Sequence, residues 1–171
     1  SQYNITAAMV HANTGPIRFQ GMTLTPGDGG MATSAGGTSG SSYILLTLNA
    51  ANLDLADAIF ANNGASGSAN NIAFGNECHA IGVVSHDSRG AGFSFSGTGG
   101  GPIECEAYAC NKANAAGLSG IILSGNALVS IRSISHNNSA GANCSGFVVT
   151  GNNCSLINCI SESNSKDGVT V

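Results

Sequence analysis

Tryptophan is absent from the 171 residues, and aromatic side chains make up only 5% of them. The chain therefore offers few flat faces for stacking on sugar rings or bases. Charge is scarce as well: Asp, Glu, Lys and Arg together are 8%, against about a quarter in ordinary globular domains. Five basic residues under a net charge of −4 cannot neutralise a run of phosphates, so no nucleic-acid surface is expected. No apolar run approaches the ~20 residues of a membrane-spanning helix, and no membrane partner is expected. The six cysteines include no zinc-type CxxC pair, so neither metal nor another cofactor is expected. A helical period never persists for a dozen residues. The chain opens at Ser1 without a signal-like segment, which suggests a processed protein or a piece of a longer one.

What is abundant is small and apolar. Glycine occurs 25 times, Ser and Asn are frequent, and 42% of residues are apolar. That apolar share is rich in Ile, Val and Leu, so it supports a packed core rather than disorder. The length suits one domain.

The arrangement is repetitive. Ile59-Phe60-Ala61-Asn62 recurs as Val84-Ser85-His86-Asp87, Tyr108-Ala109-Cys110-Asn111, Ile134-Ser135-His136-Asn137 and Ile160-Ser161-Glu162-Ser163, at steps of 25, 24, 26 and 26 residues. A second marker, glycine before an alternating apolar pair, appears at Gly92-Phe93-Ser94-Phe95, Gly120-Ile121-Ile122-Leu123, Gly146-Phe147-Val148-Val149 and Gly168-Val169-Thr170-Val171. Short period-two runs bounded by Gly, Asn and Ser are strand and turn signals. A repeat of about 25 residues built of strands predicts a β-solenoid, each rung pairing only with its neighbours. The unit size favours an all-β, right-handed parallel β-helix with two or three strands per rung. Residues 1–171 are expected to form one such domain, part of a longer helix. Its regular rungs span 53–171 and its irregular N-terminal rungs 17–48. There Ile17–Thr25 and Ser42–Leu48 read as strands around a Gly/Ser-rich loop at Pro26–Gly40.

The Gly-Ile/Phe-x-Val/Leu strand, the Gly-Asn turn and the following Ser-x-Asn resemble the rungs of the pectate-lyase-like β-helix superfamily, which includes polysaccharide lyases, epimerases and phage tailspikes. The resemblance covers Ile17 to Val171. It implies extracellular or virion carbohydrate chemistry in a groove along one sheet, and it carries no catalytic motif onto these residues.

Stacked by the period, the rungs place Cys78 and Cys154 with Leu53, Pro102 and Leu128. Cys105 falls with Ala56, Ile81, Ile131 and Ile157. Cys159 falls with Ala58, Val83, Ala107 and Ser133, and Cys144 with Leu118. Cysteine is thus expected as a small core hydrophobe rather than in disulfides, whose Cα atoms must lie within about 7 Å. One polar column holds Asp57, Gly82, Glu106, Arg132 and Asn158, and predicts a lateral Glu106–Arg132 ion pair at the ~4.8 Å rung spacing. Asp57 and Glu106, two rungs or about 10 Å apart, approach the roughly 6.5–9.5 Å of an inverting glycosidase pair. A second column holds Ala61, His86, Cys110, His136 and Glu162. It is too linear to converge on a metal ion.

His86 with Asp87 forms a candidate acid–base pair, since imidazole exchanges protons near neutral pH. Asp57, Glu106, His86 and Asp87 are therefore the candidate catalytic residues, and Arg132, Arg89, Lys112 and His136 the candidate substrate contacts. Asn62, Asn111 and Asn137 are expected to form an asparagine ladder. Outward Ile122 and Val148 imply a wall covered by a loop or a partner subunit. The DGVTV end implies that more chain or another chain covers the last rung. Three functions compete. The first is a polysaccharide-binding region, with or without depolymerising activity, of a trimeric tailspike or receptor-binding protein. The others are a secreted lyase, hydrolase or epimerase, and a non-catalytic adhesive solenoid.

Overall fold

In the computed structural model the described residues are 2–5, 9–11, 17–20, 32–36, 46–48, 53–61, 70–138 and 142–171, with side chains from residue 46 onward. Among them the only regular secondary structure is β-strand. In chain order the strands are β1 (Gln2–Ile5), β2 (Met9–His11), β3 (Ile17–Gln20), β4 (Ala32–Gly36), β5 (Leu46–Leu48), β6 (Leu53–Ala56) and β7 (Ala58–Ala61). There follow β8 (Ile72–Phe74), β9 (Cys78–Ile81), β10 (Val84–His86), β11 (Phe93–Phe95), β12 (Gly100–Ile103), β13 (Glu106–Tyr108) and β14 (Ser119–Leu123). The last are β15 (Val129–Ile131), β16 (Ile134–His136), β17 (Ser145–Val149), β18 (Ser155–Ile157), β19 (Ile160–Glu162) and β20 (Val169–Thr170).

Every third strand joins the same sheet. Sheet A runs β1-β4-β7-β10-β13-β16-β19, sheet B β2-β5-β8-β11-β14-β17-β20 and sheet C β3-β6-β9-β12-β15-β18. Neighbours are parallel, as in Val84↔Ile59 and Phe93↔Ile72. The chain is a parallel β-solenoid, each coil visiting sheets A, B and C in turn. The coil reaches back to Gln2, whose strand pairs with β4. That strand lies inside the stretch 26–40 expected as a loop, so the Gly/Ser-rich segment is partly rung.

Corners explain the punctuation. Between sheets C and A the chain enters the left-handed region at Asp57, Gly82, Glu104, Arg132 and Asn158. Between A and B it does so at Asp87, Ala109, Asn137 and Ser163, and between B and C at Glu77, Gly99, Ala127 and Asn153. One such residue turns the strand while the ladder continues through it. Asp57 N donates to Ile81 O, Gly82 N to Ile103 O and Glu104 N to Ile131 O, at 2.8–3.0 Å. Asn, Asp and Gly tolerate this conformation best, which is why they mark the rungs.

The core is a stack of like on like. Phe74 and Phe95 lie face to face at 4.2 Å and 5°, with Phe93, Ile121, Leu123 and Phe147 buried beside them. Cysteine behaves as expected, except that Cys110 is inside rather than on the outer column. All six remain thiols, four fully buried, and they donate to carbonyls of the coil before, as from Cys105 to Ala80 O at 3.2 Å. Burial pushes Cys105 and Cys110 up to about 12.

One rung and the asparagine ladder differ from the reading of the sequence. Val84 pairs with Glu106, and Glu106 with Ile134, so these rungs are 22 and 28 residues long. Every position from Gly100 to Cys110 therefore shifts by two against the expected columns. Pro102 pairs with Ala80, not Cys78. Ile103 pairs with Ile81 and Ile131 in the place assigned to Cys105, and Cys105 falls in the column of Val83 and Ser133. The expected asparagine ladder is also displaced. Asn62 lies outside the described residues, Asn111 is buried in the A-to-B connection, and Asn137 is an exposed corner. The ladder consists instead of Asn138 and Asn164, one place inward: Asn138 Nδ2 donates to Asn164 Oδ1 at 2.8 Å. Ile122 and Val148 are 8% and 6% exposed within this one chain, packed with Ala91 and Leu118. The outward apolar patch is thus covered without a partner subunit.

Candidate functional site on the outer face of sheet A

Sheet A alternates inward Phe60, Ser85, Ala107 and Ser135 with outward Ile59, Val84, Glu106 and Ile134. The second outward column is Ala61, His86, Tyr108, His136 and Glu162. Tyr108 thus takes the place expected for Cys110, which turns inward and is fully buried. The result is an aromatic ladder: His86 and Tyr108 rings are 4.8 Å apart at 2°, Tyr108 and His136 5.4 Å apart at 25°. Both faces of Tyr108 are spent on the two histidines, so it presents its polar edge.

Each histidine has a carboxylate. Asp87, in the left-handed corner after β10, meets His86 Nδ1 through Oδ2 at 2.7 Å. Its other oxygen is ion-paired to Lys112. Partial burial alone would raise the Asp87 carboxyl, but the hydrogen bonds and charges of Lys112 and His86 outweigh it and hold the group below its ordinary value. A carboxylate on Nδ1 fixes the Nδ1–H tautomer and leaves Nε2 as the accepting nitrogen. His136 is held the other way. Asn137 Nδ2 donates to its Nδ1 at 2.8 Å, so the proton sits on Nε2 and is donated to Glu106 Oε1 at 2.7 Å. Burial first, then the charges of Glu106 and Asp87, raise the Tyr108 phenol and keep it a neutral hydroxyl. Among the described residues neither His86 Nε2 nor the Tyr108 hydroxyl has a hydrogen-bond partner.

The expected site residues divide accordingly. His86, Asp87 and Lys112 come together, and His136 joins Glu106. Arg89 lies in the turn against which the Lys112 turn stacks: Lys112 N donates to Ser88 O and Ala113 N to Arg89 O, both at 3.0 Å. Asp57 and Arg132 lie elsewhere, in the corner between sheets C and A. The carboxylate two coils from Asp57 is Glu104, not Glu106, because of the two-residue shift. Arg132 pairs with Glu104 at 2.6 Å instead of with Glu106. Both Arg132 and Glu104 are over half exposed, so the pair contributes at most about 1 kcal/mol. The expected Asp57–Glu106 glycosidase pair is therefore not formed. A further pair unmarked in the sequence, His79 with Asp54 at 3.0 Å, sits on sheet C. The described residues contain no group of three or more His, Cys, Asp or Glu able to hold a metal ion.

Compared with protein-family models, curated proteins and solved structures, the chain matches none.

Proposed function

We propose that the chain is a polysaccharide-binding region of an extracellular or virion β-helix that holds an extended glycan along the outer face of sheet A. The observation that carries this reading is the His86–Tyr108–His136 ladder. A row of ring edges at the coil repeat suits a polymer whose hydroxyls also recur. The open His86 Nε2 and Tyr108 hydroxyl supply an acceptor and a donor for it. Both faces of the central Tyr108 are covered by histidine rings, so the grip is by hydrogen bonds rather than by sugar stacking on it. Depolymerisation belongs to the same reading: Asp87 orients His86, and Nε2 is the atom that would take a proton from the substrate. A tailspike-like receptor-binding protein, with trimeric packing or further domains, is the setting that the rung pattern suggests. A secreted lyase, hydrolase or epimerase would use the same face.

A second reading, a non-catalytic solenoid, draws on the ion pairs: Asp87 is matched to Lys112 and Glu106 to His136, as in a stabilising ladder. Affinity electrophoresis of the chain through gels containing soluble polysaccharides separates the two. Glycan retardation is expected, weakened about tenfold in His86→Ala or Tyr108→Ala, the equivalent of one or two lost hydrogen bonds. A reducing-end assay then tells binding from cleavage. Migration unaffected by every glycan, with the fold intact by circular dichroism, would leave only the solenoid reading.

A further inference from the structure

Resting on that reading, the distribution of charge around the ladder says which glycans fit. An acidic polysaccharide, a polyuronate or a sulfated glycan, requires cations that are open to it. The four cations whose side chains the structure describes are otherwise engaged. Lys112 is ion-paired to Asp87 on the ladder itself, and the guanidinium of Arg132 donates from Nε and Nη2 to Glu104 Oε1. Lys166 faces Asp167 at 3.7 Å, and Arg89 has a partner of its own. Against them the ladder sets three carboxylates: Asp87, Glu106 and, one coil beyond His136, the exposed Glu162. The whole chain carries a net charge of −4. A polyanion laid here would either separate Lys112 from Asp87 or meet carboxylates directly, and like charges in contact are strongly disfavoured. Carboxylate oxygens and an accepting imidazole nitrogen are, by contrast, good partners for uncharged hydroxyls.

We infer that the ligand of the sheet A face is an uncharged polysaccharide, read through its hydroxyls, and that acidic glycans are rejected. The selectivity is set by the Asp87–Lys112 pair, which engages the lysine that adjoins His86 through Asp87.

The test uses the intact chain in affinity gels of two sets, dextran, galactomannan and soluble starch against polygalacturonate, alginate and hyaluronan, each at low and high salt. A neutral glycan should be bound at least about tenfold tighter than any acidic one, with little change on adding salt, because no charge is screened. Asp87→Asn, which releases Lys112, should weaken neutral binding and create salt-sensitive binding to the polyuronates. Preferred binding of an acidic glycan, or equal binding of both sets, would overturn this inference while leaving the glycan reading in place. An Asp87→Asn variant with unchanged selectivity would overturn the role of the pair. If neither set is retarded, both the inference and the reading beneath it fall.

Discussion

Gly120 precedes the buried strand pair Ile121-Ile122 and has an ordinary backbone conformation. Substituting Ala there should help, since fewer unfolded conformations stabilise by about 0.4–1 kcal/mol. The surroundings predict the reverse. A Cβ at Gly120 would overlap the Ser135 hydroxyl and come within 2.8 Å of Asn138 Nδ2 and 3.2 Å of the Ala107 Cβ. Ser135 has no room to yield, because it is fully buried. It donates to Gly146 O at 2.7 Å and accepts from Asn138 Nδ2 at 3.0 Å. Rotating it away would strand those two buried groups, at about 1–3 kcal/mol each; keeping it in place overpacks the core at a similar cost. Gly120→Ala is thus expected to lose about 2–3 kcal/mol. Ser135→Ala should lose about 1–2 kcal/mol through its hydrogen bonds. The double variant is the informative one: without Oγ the added methyl has space, so the two losses should fall short of adding by about 1–2 kcal/mol. Urea unfolding followed by circular dichroism, with slopes compared between variants, reads all four corners of the cycle. A Gly120→Ala protein as stable as its parent, or a double variant at the sum of the single losses, would refute this account of the Gly-Ser-Asn interior.

Phe95→Ala removes one face of the Phe74–Phe95 stack and should cost about 3–5 kcal/mol in the same assay. The depressed Asp87 carboxyl contributes stability above its ordinary value of 3.8, and that contribution disappears as pH falls below it through the lower folded value. An acid titration should show this loss in the parent and not in Asp87→Asn. For Cys105 and Cys110 the sign is opposite. Their folded values near 12 lie above the ordinary 9.0, so their contribution is intact below pH 9 and is lost as pH rises toward 12. Stability measured across that range should fall, and should fall less in Cys105→Ala, compared with its own value at pH 8. A thiol reagent at pH 8 should label the partly exposed Cys154 and Cys159 and reach Cys105 and Cys110 only on unfolding.

The coil and its period were legible because parallel stacking imposes one side-chain pattern on every rung. The inward place of the cysteines other than Cys110 was legible from alternation. His86 with Asp87 was legible because the two are adjacent in sequence. The partner stacked on His86 was not, and the reason is parity. A slip of one residue turns every side chain to the other face, but a slip of two keeps inside in and outside out. Hydrophobic alternation is therefore blind to the two-residue shift that exchanged Tyr108 for Cys110 and Glu104 for Glu106. The better anchor lay in the corners. Ala56-Asp57-Ala58-Ile59, Ile81-Gly82-Val83-Val84, Ile103-Glu104-Cys105-Glu106, Ile131-Arg132-Ser133-Ile134 and Ile157-Asn158-Cys159-Ile160 keep one spacing. The connection from sheet A to sheet B varies in length: His86 is followed by a strand at Phe93, and Tyr108 only by one at Ser119. A register counted across that variable connection therefore misses by two in this rung. At Ile103 to Glu106 the anchor is also disguised, since Glu106 stands where other coils carry Ile or Val.

The register of sheet A bears the ladder, the histidine–carboxylate pairs and the charge argument together. Interstrand nuclear Overhauser contacts between backbone protons measure it directly. The account predicts contacts linking His86 with Tyr108 and Tyr108 with His136 in the pattern of parallel strands. Contacts linking His86 with Cys110, or an antiparallel pattern in these strands, would contradict it.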